Sequence, residues 1–333
     1  DTLSLDAEVL RFHVREGLSE VTDIDAEFVC DTADLDLQSL IWKATALRLE
    51  DADGQPTRYF HGLVEEAEYL YARGERSIYR VRPRPRVHGL AYRVRSRIFQ
   101  DLDAVAVVKR VLADGGVPED ETAWSLTARY SPRELCVQYR ESELNFISRL
   151  LEEEGIFYWF EHEAGRHVMH FGDDRASHRP LDTDDILAFS RVEHGDREHV
   201  TDVVFRAQTT FGSAWARDWN WQIPDRTVDG QSRNAQLTAL ERYDHPAGAT
   251  SMPGATRRAR DVLQSYVAAD HILEGRSNCV RMAPGRTFDL TDCVPEYLAR
   301  AWLLHSLDHQ FEEHGHDERG RTLRRYRATF RAA

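Results

Sequence analysis

The chain contains 333 residues, of which 41% are hydrophobic, and it carries a net charge of −14 from 43 basic and 57 acidic residues. This length predicts about two domains of roughly 150 residues each, with enough apolar side chains to form real cores. The acidic balance argues against nucleic acid or an anionic membrane as the main partner. Lysine occurs only at Lys43 and Lys109, which disfavours a Walker-type phosphate loop and a lysine Schiff base.

The cysteines and the first residues bear on the compartment in which the chain folds. Cys30, Cys136, Cys279 and Cys293 form no CxxC pair, so neither a zinc ribbon nor a thioredoxin-type motif is predicted. We expect buried thiols in a reducing compartment, with a bridge between Cys279 and Cys293 as the alternative. The first residues lack a signal-peptide pattern, and no uncharged run reaches the length of a membrane span. We therefore expect no membrane anchor and, if the protein is exported, a route without a signal peptide.

The first region, residues 1–95, reads as short antiparallel strands separated by turns. Alternating apolar positions and turn signals predict strands over 9–14, 24–29, 45–49, 59–64 and 77–82, with a short helical turn within 31–42. Two prolines, Pro83 and Pro85, end this sheet region. We predict that it forms a first small β-barrel.

The middle region, residues 96–190, mixes helices with strands. A helix is predicted over 104–112, where apolar residues recur at helical spacing before two glycines. The strand that follows alternates with a period of two, which places Leu135, Val137 and Tyr139 on one face of a sheet. The region is therefore predicted as a mixed α+β domain.

A capped helix and an apolar hairpin form the most distinctive part of this middle region. Ser142 is a good N-cap for a helix whose apolar stripe faces inward, while the acids Glu152–Glu154 face water. Gly155 ends the helix, because glycine adopts the left-handed C′ conformation without steric cost. The next five residues, Ile156–Phe160, are all large and apolar. A strand of that composition must be covered on both faces.

The last region, residues 191–333, is predicted to begin irregularly and to end in strands. A tryptophan cluster without strong periodicity, formed by Trp215, Trp219 and Trp221, predicts irregular chain held by aromatic anchors. Residues 222–256, rich in Asp, Gly, Pro and Ser, are predicted to be the least ordered part. A helix is predicted over 255–269, and its inward positions are Val262, Tyr266 and Ala269.

The two ends of the chain contain similar segments in the same order. Residues 287–292 match 45–50, residues 297–305 match 59–64, and residues 326–331 match 79–82. This repetition predicts an internal duplication of a small β unit. The predicted fold class is therefore α+β, mainly antiparallel β, with two related small β-barrels in 1–95 and 191–333 flanking the mixed middle.

Histidines offer candidate metal ligands, but their spacing favours ordinary structural roles. His162, His167 and His170 lie on one hairpin, yet His167 and His170 point to opposite faces of a strand. The other pairs are His305 with His309, which lack the glutamate of an HExxH motif, and His314 with His316, which flank a glycine in a charged turn.

Carboxylates are abundant without forming a recognisable catalytic pair. The acid clusters are Asp182, Asp184 and Asp185, and the helix-terminal run Glu152–Glu154. A glycosidase pair needs two environments that separate the pKa values, which consecutive exposed acids do not provide. GxSxG, GxGxxG and CxxC motifs are absent as well. We therefore assign no catalytic, cofactor-binding or metal-binding residue and predict that the chain is not an enzyme.

One long segment carries a family resemblance. Residues 136–158, with the sequence CVQYRESELNFISRLLEEEGIFY, resemble the signature segment of VgrG proteins, the valine-glycine repeat spike proteins of bacterial type VI secretion. Shorter matches follow in the family's order at 59–62, 96–101, 243–246 and 283–288. The resemblance covers most of the chain.

The resemblance implies the hub region of that spike, similar to the baseplate hub of contractile phage tails. It implies two related β-barrels in each subunit and a homotrimeric ring with pseudo-sixfold symmetry, seated on a hexameric Hcp-like tube. It also implies a structural role without cofactors, with baseplate proteins and effector or adaptor proteins as partners. The hub would assemble in the cytoplasm and then be secreted by the contractile apparatus.

Two alternatives stay open at this point. The same resemblance fits a hub protein of a contractile phage tail or a related injection particle. A protein of another class, a cell-wall glycoside hydrolase on a β-rich scaffold, would use scattered carboxylates.

Overall fold

The computed structural model describes residues 7–31, 34–50, 55–181, 186–190, 198–220, 223–293, 295–316 and 322–333. The strands are β1 Glu8–Gly17, β2 Asp23–Cys30, β3 Ala44–Glu50, β4 Pro56–Arg73, β5 Arg76–Arg84, β6 Val94–Leu102, β7 Thr122–Ser125, β8 Arg133–Ser142, β9 Phe157–His162, β10 His167–Gly172, β11 Arg179–Pro180, β12 Ile186–Ala188, β13 Val200–Ala207, β14 Ser213–Trp219, β15 Thr227–Arg233, β16 Glu241–Asp244, β17 His271–Ser277, β18 Arg286–Thr291, β19 Ala301–His316 and β20 Thr322–Ala332. The helices are α1 Leu37–Leu40, α2 Ala104–Asp114, α3 Glu143–Glu153 and α4 Met252–Ala268. Most strand pairs are antiparallel, which confirms the predicted fold class at this level.

The chain divides into two compact units. The first contains residues 1–152, 156–203 and 275–332, and the second contains residues 153–155 and 204–274 together with residue 333. No helix in the described part of the chain is both long and apolar enough to cross a bilayer. The cysteines Cys30, Cys136, Cys279 and Cys293 are all buried as thiols.

The main sheet has twelve strands, and its order contains two similar runs. The hydrogen-bonded path is β13-β17-β20-β19-β1-β2-β5-β4-β3, and β18 joins β19 beside it together with the short strands β11 and β12. One run is thus β1-β2-β5-β4-β3, and the other is β13-β17-β20-β19-β18. They meet where β1 pairs antiparallel with β19, from Arg11 opposite Glu312 to Gly17 opposite Ser306. The strands of the two predicted barrels therefore belong to one sheet, and no pairing between described residues closes either run into a separate barrel.

The long strands β4 and β19 are built in the same way. The first half of β4 pairs with β3 and the second half with β5, while β19 pairs with β18 and then with β20. Both strands have a register shift at the change of partner, between Val64 and Glu66 in β4 and between Leu304 and Ser306 in β19. An extra residue at such a bulge bends the strand and increases its twist.

The two faces of this sheet have opposite character. The inward face carries a hydrophobic cluster that includes Phe12, Val14, Ile24 and Phe60. The outward face carries charges of one sign along each strand: positive on β1 (Arg11, Arg15) and β5 (Arg80, Arg82, Arg84), and negative on β2 (Asp23, Asp25, Glu27), β4 (Glu66, Glu68) and β19 (Asp308, Glu312). Ion pairs join the neighbouring strands along these rows. Each such cross-strand pair contributes roughly 0.2–1 kcal/mol.

A second core lies between α2, α3 and the small sheet β7-β10-β9. Its fully buried members include Val107, Phe146, Leu150 and Phe171. The all-apolar strand predicted within Ile156–Phe160 is covered on both faces as expected, because Tyr158, Trp159 and Phe160 are each at most 5% exposed. The predicted helix stop is confirmed by a φ of +68° at Gly155.

The second unit corrects two predictions. Trp215 and Trp219 lie in a regular strand, β14, and residues 222–256 supply its neighbours β15 and β16. Trp221 lies outside the described residues. Strands β15 and β16 are short and polar, so their sequences do not alternate between apolar and polar residues strongly enough to predict strands.

Helix α4 exists as predicted, and its fully buried side chains are Ala255, Ala259 and Leu263. Of the predicted inward residues, Val262 packs half-buried against the same core, and the ring of Tyr266 contacts that of Phe211 at 4.7 Å. The helix backbone comes close to Gly230 in β15, where an added Cβ atom would lie 2.1 Å from the carbonyl carbon of Ala255. Only small helix residues fit at that distance, so alanines occupy the contact.

Candidate functional site

A carboxylate occupies a position in β1 where the core pattern predicts an apolar residue. Phe12 and Val14 point inward, and Glu16, the next residue on that face, is 2% exposed. A buried carboxylate must be paired and hydrogen-bonded, because its removal from water costs several kcal/mol in free energy. The partners of Glu16 therefore define the candidate site.

Residues of three other strands complete the surroundings of Glu16. Arg58 on β4 donates from Nη2 to Oε2 of Glu16 at 2.5 Å and from Nη1 to the carbonyl oxygen of Val280 at 3.1 Å. His309 on β19 donates from Nε2 to the same carboxylate oxygen at 3.0 Å. Its Nδ1 accepts from the hydroxyl of Tyr326 on β20 at 2.6 Å. The carboxylate thus links β1, β4, β19 and β20.

The charge state of this network follows from burial and from the guanidinium of Arg58. Burial alone would raise the pKa of Glu16, but Arg58 and His309 lower that pKa to about 2. Burial lowers the pKa of His309 and raises the pKa of Tyr326. The network therefore contains one carboxylate, one guanidinium, a neutral imidazole and a neutral phenol.

The β9–β10 hairpin adds a histidine to the same network. His162 at the end of β9 accepts at Nδ1 from the backbone N–H of His61 at 3.1 Å. Its Nε2 lies 3.3 Å from Oγ1 of Thr22 and 3.6 Å from Oε1 of Glu16. Burial is the main reason that the pKa of His162 falls to about 4.

A second hairpin histidine is held in one neutral form. Nε2 of His167 accepts from the backbone N–H of Arg86 at 2.9 Å. In the neutral ring the proton must then sit on Nδ1, which donates to Nδ1 of His61 at 2.9 Å. Burial, followed by His162 and His61, lowers the pKa of His167 to about 3. A further proton on Nε2 would face the Arg86 N–H, which is also a donor.

The buried network connects the β9–β10 hairpin to β1 and β4 of the main sheet. Among the described residues, no group of three His, Cys, Asp or Glu side chains is placed to hold an ion. His162 and His167 are register partners across the hairpin. His170 lies on the other face, with its ring stacked on Trp159 at 5.3 Å and its Nε2 3.3 Å from Oε2 of Glu161.

The other sequence candidates do not converge. His305 is exposed, whereas His309 is fully buried. The register shift between Leu304 and Ser306 in β19 reverses the alternation, so these two histidines do not share a face of the strand. Glu153 and Glu154 are half-buried rather than solvated, since their carbonyl oxygens accept hydrogen bonds from arginines of α4. The side chains of His314 and His316, and the residues Asp182, Asp184 and Asp185, lie outside the described part of the structure.

We expect the free energy of unfolding to fall steeply below neutral pH. His162 and His167 are neutral when folded, with pKa values of about 4 and 3, and take up protons near pH 6.5 when unfolded. Their contribution is complete above pH 6.5 and is lost as the pH falls toward 4, at about 1.4 kcal/mol per pH unit for each histidine.

Urea titrations at pH 7.5, 6.5 and 5.5 test this expectation. The variant His162→Gln removes one of the histidines whose pKa is lowered on folding, so its unfolding free energy should depend less steeply on pH than that of the native chain. An unfolding free energy that is flat between pH 7.5 and pH 5.5 would contradict the neutral, buried state assigned to these rings.

A second buried carboxylate anchors the segment that carries the family resemblance. Glu143 at the start of α3 is fully buried, and its two oxygens contact Arg93, Arg95 at 3.3 Å and Arg97 at 2.8 Å. Nε of Arg97 also donates to the buried amide oxygen of Gln138 in β8 at 3.1 Å. These contacts fix α3 to the ribbon formed by β6 and β8.

The outer face of that ribbon is apolar and exposed. Ile98 and Val137 lie opposite each other and are 65% and 42% exposed, and Leu135 and Tyr139 extend the same face at 55% and 65%. The predicted alternation therefore holds, but the polar Gln138 faces inward and the apolar set faces water. Contiguous exposed apolar faces of this kind mark protein–protein contact surfaces.

Sequence reasoning missed the buried network because its members are distant in the chain. Glu16 and His309 are separated by 293 positions. The sequence does indicate one member of the network: Glu16 is an acid two residues after Val14, at a position that the alternation of β1 places on the inward face. Glu143 lies in the first turn of α3, where the helix dipole favours a carboxylate, and no local pattern connects it to its three arginines.

Comparison with known proteins identifies the family. The model of the phage tail baseplate hub (GPD) family matches residues 15–315, which is most of the chain and includes Glu16 and Glu143. The chain belongs to the phage tail baseplate hub family. The resemblance to VgrG proteins inferred from residues 136–158 is confirmed by the relatives described next.

Two curated relatives and one solved structure show the extent of the similarity. The type VI secretion system spike protein VgrG1b of Pseudomonas aeruginosa is 30% identical over 308 residues, covering 90% of this hub chain and 41% of the relative. The actin cross-linking toxin VgrG1 of Vibrio cholerae is 25% identical over 317 residues, covering 91% of the chain and 28% of the toxin. The E. coli c3393 protein, a type VI secretion component similar to the T4 phage tail proteins gp27 and gp5, has the same fold, with a TM-score of 0.74 at 22% identity over 99% of the chain and 74% of its own. The chain spans less than half the length of the curated relatives.

Proposed function

We propose that this chain forms the structural hub of a type VI secretion spike, which lies at the tip of the secreted tube. There the hub would help the spike to puncture target cells and deliver effectors. The observation that carries the proposal is the 30% identity to a type VI spike protein across 90% of the chain. The relatives are spike and hub proteins, which supports a structural role rather than catalysis.

The proposed assembly is a homotrimer on a hexameric Hcp-like tube. Support comes from the two similar strand orders, β1-β2-β5-β4-β3 and β13-β17-β20-β19-β18, which are what an internal duplication of a five-stranded unit produces. Three chains with two such units each offer six similar positions to a sixfold tube. We accordingly propose 1–95 and 191–333 as the two related β regions, each contributing a barrel, around the mixed region 96–190.

The proposed partners are proteins, and the proposed route is export by the contractile apparatus. Assembly would take place in the cytoplasm, where baseplate proteins and effector or adaptor proteins dock on the hub. The exposed apolar face of the β6–β8 ribbon supports protein partners of this kind, since its four large side chains are between 42% and 65% exposed. One relative is itself described as an actin cross-linking toxin, which supports a link to effector delivery.

Light scattering of the purified chain tests the proposal. The mass of these 333 residues, and of the same chain with any continuation that its gene encodes, should be three times that of one chain in at least one form. A trimer that also binds the ends of Hcp tubes in electron micrographs is the expected result. Monomers in both forms would contradict the hub assignment.

A further inference from the structure

We propose that the outer face of the β6–β8 ribbon binds an amphipathic helix of a partner protein, with basic residues at one end of that helix and acidic residues at the other. The inference rests on the proposed function, because it names the kind of segment by which a partner docks on this hub. The surface consists of four exposed side chains, the apolar strip, and of the charged residues at the two ends of the strip. The apolar strip is formed by Ile98, Leu135, Val137 and Tyr139.

Only the inner face of the ribbon is covered within the described part of the chain. Phe99 and Cys136, which lie opposite each other on that face, belong to the core formed with α2 and α3. The side chains of the apolar strip on the other face stay between 42% and 65% exposed. A ribbon of two strands gains stability when its apolar surface packs against another element, so the outer face is the side that a partner can still cover.

One end of the apolar strip is acidic. Asp101 near the end of β6 and Glu134 near the start of β8 are both exposed. The backbone of Asp101 is left-handed, with a φ of +54°, and it interrupts the strand alternation. Phe99 and Leu102 both pack on the core, so the two residues between them are exposed. Arg133, opposite Leu102, offsets only one of the two acidic charges.

The other end of the apolar strip is basic. Arg140 is exposed and also has a left-handed backbone, with a φ of +51°. Its guanidinium lies over the ring of Tyr139, 5.3 Å from the ring centre, and therefore on the outer face. Glu141, the acidic neighbour of Arg140, pairs instead with Arg149 at 2.7 Å. Strained backbone of this kind concentrates at binding sites, and here it presents a charge at each end of the strip.

The dimensions of the strip fit one helix. Glu134 and Arg140 are six positions apart in β8, a distance of about 20 Å at the usual rise of a strand. A helix covers that length in about 13 residues, and its diameter of about 10 Å matches the width of two strands with their side chains. The footprint of roughly 200 Å² is far below the roughly 800 Å² that each partner buries in a stable contact between folded proteins. A single helix therefore fits the strip better than a second copy of the chain.

The charges at the two ends determine the direction of the bound helix. Apolar residues at helical spacing supply the contact with the strip, as in other complexes in which a helix lies in a groove. The basic end of the helix then lies at Asp101 and Glu134, and its acidic end lies at Arg140. A helix with the same charge at both ends places like charges together at one end, which disfavours binding.

Fluorescence anisotropy with synthetic peptides tests the docking face. The probe is a labelled amphipathic peptide of about 14 residues, with leucines at helical spacing, lysines in its first turn and glutamates in its last turn. Two control peptides keep the leucines and carry lysines at both ends or glutamates at both ends. The native chain should bind the mixed peptide at least about tenfold more tightly than either control.

Three variants of the full chain locate the binding. Tyr139→Ser should weaken binding of the mixed peptide by about tenfold or more, because exposed aromatic residues dominate such contacts. The matched control is Tyr71→Ser on β4, a tyrosine that is 55% exposed, which should leave binding unchanged. Arg140→Asp makes both ends of the strip acidic, and aspartate tolerates the left-handed backbone. This variant should prefer the peptide with lysines at both ends, a change of preference that partial unfolding does not produce.

Light scattering on the same samples separates this inference from the proposed function. Trimers that bind all three peptides equally, or bind none, would overturn the docking face and leave the hub intact. Monomers that still prefer the mixed peptide would contradict the hub and support the docking face. Association of native chains that Tyr139→Ser abolishes would place a second copy on the strip and overturn the helix as its occupant.

Discussion

Replacing Glu16 with alanine is expected to lower the free energy of unfolding by about 3–5 kcal/mol, the usual cost of removing one partner from a buried ion pair. The reason is the environment of its partners. The side chain of Arg58 is 10% exposed and that of His309 is fully buried, so neither can turn to water when the carboxylate is lost. Arg58 would be left as a buried cation that keeps two carbonyl oxygens and the ring of Phe60, at 4.7 Å, as neighbours but has lost its counter-ion.

Urea denaturation followed by tryptophan fluorescence measures this effect. The matched control is Glu20→Ala, an exposed acid in the connection between β1 and β2, which should change stability by no more than about 0.5 kcal/mol. The double variant Glu16→Met with Arg58→Met should lose less than the sum of the single losses, because it removes both charges together. A loss below about 1 kcal/mol for Glu16→Ala would show that the carboxylate does not organise this core.

Replacing Glu143 with alanine is expected to cost about 2–3 kcal/mol, less than Glu16 although Glu143 has three arginine partners. The difference lies in the guanidinium groups. The side chains of Arg93 and Arg95 are 30% and 46% exposed, so they regain water when the carboxylate is removed. Arg97, at 18% exposed, keeps its bond to Gln138.

A control on the same helix separates the ion pairs from helix propensity. Glu152→Ala changes an exposed acid of α3 and should alter the unfolding free energy by less than about 0.5 kcal/mol. Glu143→Gln keeps the shape of the side chain and part of its hydrogen bonding. Its loss of unfolding free energy should therefore fall between that of Glu143→Ala and that of Glu152→Ala. Equal costs for Glu143→Ala and Glu152→Ala would contradict the role assigned to this anchor.

Local features were predictable from the sequence because their causes are local. The cap at Ser142 and the stop at Gly155 depend on residues within a few positions, and the structure has both. The covered strand 157–160 follows from its composition alone. The strand order of the main sheet was not predicted, although the repeated segments pointed to the duplication that its two runs support.

Features that depend on distant partners were not predictable. The contact of Glu16 with His309 joins the two ends of the chain, and a single sequence contains no signal for such a pair. The packed face of α4 depends on Gly230, whose missing side chain admits the helix backbone and makes small residues the buried ones. The polar strands β15 and β16 form by pairing with β14, since apolar and polar residues do not alternate clearly in their own sequences.

The rows of charge on the outward face of the main sheet affect how the chain selects its strand neighbours during folding. Each strand carries one sign along its length, so a slip of two residues between β1 and β2 would still place arginines opposite acids. A wrong neighbour, such as β1 beside β5, would place arginines opposite arginines, which is destabilising. The outward face therefore distinguishes correct from incorrect partners but not one alignment from another. Alignment is left to the inward face, where Glu16 meets both Arg58 and His309 in a single register.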